Sequence, residues 1–291
     1  MKSEDVKAFI GIPIILLIAV VLGWAGSQGG VEIFGVPLFA LCVGLIFIIQ
    51  WLVFIPAFNL QTEKFFDLTG SLTYLSITTL AVLLSVNSGA RAWLLWALVV
   101  MWAARLGSFL FTRVKKSGKD SRFDDIKPSF PRFLLTWTLQ GLWVSFTLAA
   151  ALAAITSQVR KPPDFFAWLG LVVWLCGFTI EVVADWQKSR FRADPANKGK
   201  FISSGLWAWS RHPNYFGEIV LWAGVAVITL PVLRGWQWLT MISPIFIFIL
   251  LTRISGVPML EKSADEKWGG QDDYEAYKAA TSILVPLRPK K

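Results

Sequence analysis

Eight blocks of mostly apolar residues divide the chain, at roughly 8–26, 34–56, 66–87, 90–112, 130–156, 164–184, 216–233 and 236–254. Each is close to the roughly 20 residues that a helix needs to cross ~30 Å of hydrocarbon. In that solvent a segment must satisfy its own backbone N–H and C=O groups, and a helix does so. Charged residues are only 16% of the sequence, against roughly 25% in soluble domains. The 16 Trp fit the indoles that collect at a bilayer interface. The expected fold is all-α: a polytopic transmembrane helical bundle of seven or eight helices. Seven crossings follow if the first block lies in the interface or the last two form a hairpin.

A formal net charge of +9 raises the question of nucleic acid. The loops answer it. With eight crossings, the great majority of the 28 Lys and Arg fall on one side. That side holds both termini and the loops after the second, fourth and sixth blocks. The positive-inside rule makes it the cytoplasmic side. The charge therefore reads as topology, and no nucleic-acid partner is expected. The first block is too long for a cleavable leader and lacks a small-x-small site. With no organelle signal, a bacterial inner membrane is the expected location.

Two cysteines, Cys42 and Cys176, both inside apolar blocks, give no disulfide framework or thiolate metal site. A single histidine, His212, leaves no metal site to expect. There is no P-loop, and no strand leads into G-x-G-x-x-G, so a bound nucleotide would lie inside the helix bundle.

The densest polar stretch is Ser204 to Glu218, SGLWAWSRHPNYFGE. Arg211, His212, Pro213, Asn214, Tyr215 and Glu218 lie within eight residues, directly before an apolar block. Polar groups pressed against a membrane helix are expensive and are functional by default. Trp207 and Trp209 offer flat faces for a base. Arg211 and His212 offer charge and hydrogen bonds for phosphate and ribose. Pro213 opens a helix, which sets Asn214 and Tyr215 in its positive first turn and Glu218 one turn on. An aromatic interface belt explains the indoles but not Arg, His, Asn and Glu together. Upstream, Glu181 and Asp185 lie one turn apart, and Glu181 calls for a cationic partner. Lys188, Arg190 and Arg192 follow, suited to phosphate, and then Lys198 and Lys200 in a Gly- and Pro-containing turn.

Between the second and third blocks, NLQTEKFFDLTGSLTY spaces Glu63, Asp67 and Tyr74 along one helical face. An acid at the mouth of a membrane helix is a functional candidate; alternatively, Glu63 marks the interface and Asp67 caps the helix. Arg105 in the fourth block either snorkels or points into a polar cavity. The tail from Pro258 is amphipathic, with Tyr274, Tyr277 and Thr281 on one face of a short helix, and Glu261 within reach of the site.

At SSGLWAWSRHPNYFGE the chain resembles the steroid 5-alpha-reductase C-terminal superfamily, in particular its branch of uncharacterised membrane proteins. FFDLTGSLTY, WAARLGSFLFTR, ADWQKSRFR and YEAYKAATSILVP extend the resemblance over roughly residues 60–288. Sterol C14-reductases, and isoprenylcysteine and phospholipid methyltransferases, carry motifs similar to RHPNY. The resemblance implies NADPH in a cavity on the cytoplasmic side. Its implied contacts are Asp185, Arg192, Asn214 and Glu218, with Arg211, His212 and Tyr215 as neighbours. Arg105 and Lys116 lie near further cofactor cations of the family. One departure stands out: Trp102 occupies the position of a family tyrosine, which leaves Glu63 or Asp67 as acid and Tyr74 as a substitute phenol.

The function expected from this is a membrane-embedded NADPH-dependent reductase. It would transfer hydride to the C=C bond, a conjugated enone, of a steroid or other lipid-like substrate entering from the bilayer. The first 60 residues are expected to form N-terminal transmembrane helices, and residues 61–291 the reductase-like domain. The alternatives are an S-adenosylmethionine-dependent methyltransferase acting on a lipid or isoprenylcysteine, and a non-catalytic lipid-binding or scaffold protein that kept the pocket.

Overall fold

A computed structural model of the chain describes residues 3–85, 88–117 and 123–289. Ten α-helices are seen among the described residues. In order they are α1 (Ser3–Gly26), α2 (Leu38–Asn59), α3 (Phe66–Leu84), α4 (Ala90–Ser117), α5 (Phe130–Ile155), α6 (Phe165–Ala193), α7 (Pro213–Thr229), α8 (Ile242–Ile249), α9 (Val257–Trp268) and α10 (Asp272–Ala280). The only paired strands among these residues are β1 (Glu32–Ile33) and β2 (Val36–Pro37), a two-stranded antiparallel turn. The protein is an all-α, multi-pass membrane protein.

Among the described residues, seven helical stretches are long and apolar enough to cross a bilayer. The first six correspond to the first six apolar blocks. The last, Gly235–Trp268, is composite: a 3-10 segment, α8, a π-helical turn at Leu250–Ile254, and α9. The block at 216–233 forms α7, whose 17 residues rise only about 26 Å. α6 continues to Ala193, past its apolar part, so the basic QKSRFR segment is helical.

The chain divides into two compact units. The first comprises Met1–Ala167 and Ile228–Ser243. There α5 is the central helix, with every residue from Thr147 to Ile155 buried. An aromatic cluster of Phe54, Phe123, Phe133 and Trp137 closes one end. At the other, Arg91 is only 3% exposed. Its Nη1 donates to the Ile228 carbonyl at 2.6 Å, and its Nη2 to the Pro162 carbonyl at 2.9 Å and Asp164 Oδ1 at 2.8 Å. That hydrogen bond holds the Asp164 carboxyl below its usual range.

The second unit comprises Trp168–Val227 and Pro244–Lys291. α6 and α7 run so close that a Cβ at Gly177 would lie 2.5 Å from the Leu221 nitrogen. A Cβ at Gly217 would lie 2.6 Å from the Glu181 nitrogen, and one at Gly224 2.6 Å from that of Trp174. Only glycine permits this approach.

Candidate functional site

The glycine seam sets the C-terminal part of α6 beside the first turn of α7. Pro213 is the first residue of α7, where its missing N–H leaves no bond unmade. Asn214 Nδ2 donates to Asp185 Oδ1 across the two helices at 3.1 Å. The segment before α7 is held by the C-terminal tail. Arg211 N donates to the Ser282 carbonyl at 2.8 Å, Ser210 Oγ to the Leu284 carbonyl at 2.7 Å, and Leu287 N to the Trp209 carbonyl at 3.0 Å. Trp207 Nε1 donates to the Ala184 carbonyl at 3.0 Å, and the Tyr277 hydroxyl to the Trp207 carbonyl at 2.6 Å. The tail therefore fixes the backbone that carries Arg211 and His212.

These elements enclose a cavity of about 250 Å³ within the second unit. Its inner part is buried, formed by Trp207, Arg211, His212 and Tyr274, with Tyr277 half-buried. Glu261 enters from α9. One carboxylate oxygen lies 3.0 Å from Arg211 Nη2 and the other 2.8 Å from His212 Nε2. A carboxylate only accepts, so the imidazole carries its proton on Nε2. The Tyr215 ring stacks on that imidazole, 5.7 Å away and 11° from parallel. Burial and the Asp265 hydrogen bond push the Tyr274 phenol up to about 12, and burial raises that of Tyr277. Both stay neutral donors at physiological pH.

Four further cations line the cavity: Lys188, Arg192, Lys200 and Lys267. Lys188 Nζ lies 4.5 Å over the Trp207 ring, and Lys267 Nζ 4.5 Å over that of Trp268. Among the described residues none of the four has a carboxylate within ion-pair distance. Cations gathered without carboxylates in ion-pair contact raise the local concentration of anions. The arrangement suits a ligand with phosphates and a flat ring.

Of the residues singled out from sequence, Lys188, Arg192, Trp207, Arg211 and His212 line this cavity. Asp185, Asn214 and Tyr215 are joined to one another or to His212 just behind it. Glu218 lies on α7 and is partly buried. Arg190 does not line the cavity; its guanidinium lies 5.4 Å over the exposed Trp186 ring. Lys198 is exposed in the following turn, and Lys200, two residues on, lines the cavity instead. Trp209 is 48% exposed and takes no part.

The remaining residues belong to the first unit. Arg105 is half-buried on α4, and the Lys116 side chain lies outside the described residues. Glu63 does not share a helical face with Asp67 and Tyr74, because α3 begins only at Phe66. It is buried in the preceding turn and ion-paired with Lys127. Asp67 is not the helix cap, since that position is Phe65; it sits in the first turn, where the helix dipole favours a carboxylate. Tyr74 meets Trp102 edge-on, with centroids 5.0 Å apart. Sequence reading passed over Phe201, Lys267 and Trp268. Their signal was two Lys–aromatic dipeptides, Lys200-Phe201 and Lys267-Trp268, far apart in the chain.

The sequence model of the family described as "Protein of unknown function (DUF1295)" matches residues 53–281. The chain is 25% identical over 169 residues to the 3-oxo-5-alpha-steroid 4-dehydrogenase 1 of Rattus norvegicus, covering 56% of this chain and 59% of the relative. It is 28% identical over 110 residues to the steroid 5-alpha-reductase of Arabidopsis thaliana, 36% of each. It is 30% identical over 82 residues to a probable O-methyltransferase of Ustilaginoidea virens, 28% of this chain and 29% of the relative. The matched stretches thus span between 29% and 59% of these relatives' lengths. No solved structure matches the chain.

Proposed function

The chain belongs to the DUF1295 family, and from that premise we propose that it is a membrane-embedded NADPH-dependent reductase. Its substrate would be a steroid or other lipid-like molecule, reduced at a C=C bond conjugated to a carbonyl. The observation that carries this reading is the cavity of the second unit, where four cations without carboxylate partners among the described residues surround an aromatic interior. Similarity to one relative named as a steroid 5-alpha-reductase and to another named as a 3-oxo-5-alpha-steroid 4-dehydrogenase supports an oxidoreductase of steroid-like substrates. The cavity is smaller than the roughly 300–1,000 Å³ of a complete ligand site, which fits one part of a dinucleotide.

When bound, NADPH supplies the hydride. Lys188, Arg192, Lys200 and Lys267 would hold its phosphates, and Trp207 and Trp268 would flank its rings. Glu261 orients Arg211 and His212 through its two oxygens. For proton supply we assign Asp67 and Tyr74 on α3. Glu63 is the lesser candidate because its carboxylate already holds Lys127. We extend the proposal to a bacterial inner membrane with both termini cytoplasmic, and to a substrate that enters from the bilayer.

The test is a thermal-shift titration of detergent-purified protein with NADPH, NADH and S-adenosylmethionine. Binding only to the folded state stabilises by about 2.7 kcal/mol at a hundredfold excess over Kd. A shift with NADPH is expected. In a reduction assay Asp67→Asn should then lower turnover by roughly 100-fold or more, while Glu63→Gln acts mainly on stability. A methyltransferase is favoured by one observation, the similarity to the probable O-methyltransferase. S-adenosylmethionine carries a sulfonium cation, which the uncompensated cations would repel. A shift with it alone would nonetheless replace the reductase reading.

A further inference from the structure

Two Lys–aromatic dipeptides meet at one edge of the cavity. Lys200-Phe201 lies in the turn after α6, and Lys267-Trp268 ends α9. Trp268 Nε1 donates to the Gly199 carbonyl at 2.6 Å, which ties the two segments together. The Phe201 ring meets the Trp268 ring edge-on at 5.9 Å, and the Tyr274 ring at 5.3 Å. Gly199 adopts φ of +84°, a left-handed conformation that other residues rarely reach, so this turn depends on it. All four side chains of the two dipeptides line the cavity, and both lysines are exposed at its rim. Neither lysine has a carboxylate partner among the described residues.

We propose that Lys200-Phe201 and Lys267-Trp268 form a clamp for the base-proximal phosphate of a phosphorylated adenosine, and so set the preference for NADPH over NADH. This rests on the nucleotide reading above and assigns one end of the cavity to one end of the ligand. Aromatic rings take a base face without regard to its edge, and an ammonium beside the ring holds a phosphate as a point charge. The inner pair, Arg211 and His212, already shares Glu261, so the uncompensated positive charge lies with the outer cations. A ligand bearing one more phosphate than its analogue is therefore distinguished at the rim.

The experiment is calorimetric titration of the full-length protein in detergent with adenosine 2′,5′-bisphosphate and with adenosine 5′-monophosphate. The wild type should bind the bisphosphate about tenfold or more tightly than the monophosphate, as charge-assisted hydrogen bonds predict. Lys200→Ala and Lys267→Ala should each lower that ratio several-fold, by weakening the bisphosphate more than the monophosphate. Lys→Gln variants keep the side-chain length should either alanine variant unfold. The clamp is overturned by equal binding of the two probes, by no binding of either, or by variants that shift both together. NADPH reduction is read separately. An intact ratio without reduction keeps the clamp and removes the redox reading; reduction with equal NADPH and NADH affinities does the reverse.

Discussion

Glu63 and Lys127 show how a buried charge changes meaning with its neighbour. Taken alone, an acid at a helix mouth is a candidate for chemistry. Paired with Lys127, which also approaches Asp124 at 3.5 Å, it ties the turn before α3 to the segment before α5. The pair makes a pH prediction. The Glu63 hydrogen bond raises the Lys127 ammonium above its ordinary 10.5. A folded-state value above the unfolded one contributes stability that is complete below pH 10.5 and is lost as pH rises through the raised value. Lys127→Met should thus lower the melting temperature at pH 7, since removing one partner of a buried pair costs roughly 3 kcal/mol. The gap to wild type should close in strongly alkaline buffer. Melting curves across pH check this, and a gap constant to high pH would refute it. The same reasoning at residue scale explains Trp102. At a position where the resembled family has tyrosine, it packs edge-on against Tyr74 of the neighbouring helix, so its indole is held by the phenol proposed for proton supply.

At the scale of elements, the α6–α7 seam positions the site. The Asp185–Asn214 bond across it exists because Gly177, Gly217 and Gly224 let two backbones touch. Gly217→Ala puts a methyl 2.6 Å from the backbone of Glu181, where no side chain can yield. It should destabilise by roughly 1–3 kcal/mol and weaken NADPH binding, because Asn214 moves with α7. Gly44 on α2 is the control, since a Cβ there meets nothing within 4 Å. Gly44→Ala should leave the melting temperature unchanged or higher. Equal effects of the two substitutions would remove the seam from the argument. The apolar blocks mark α6 and α7 as helices, but not their closeness, because a glycine in a membrane helix has the same hydropathy whether it faces lipid or another backbone.

At the scale of the whole molecule, the seven spans among the described residues and the shorter α7 leave a parity question that the termini decide. With α7 crossing, both termini lie on the same side; without it, they lie on opposite sides. We expect both to be cytoplasmic, because the basic loops then share one side. Reporter fusions at each end check this, and a periplasmic C-terminus would sink it. The sequence by itself determined the helical class, the approximate positions of the first six spans and the polar stretch around His212. Block length, charge placement and local motif are all properties of neighbours along the chain. Only the tertiary structure decided that Glu63 is held by Lys127, that Lys200 rather than Lys198 lines the cavity, and that Glu261 joins Arg211 and His212. It alone brought Lys200-Phe201 and Lys267-Trp268 together. Such contacts join residues dozens of positions apart, and no local periodicity encodes which distant partner a side chain meets when its helix packs.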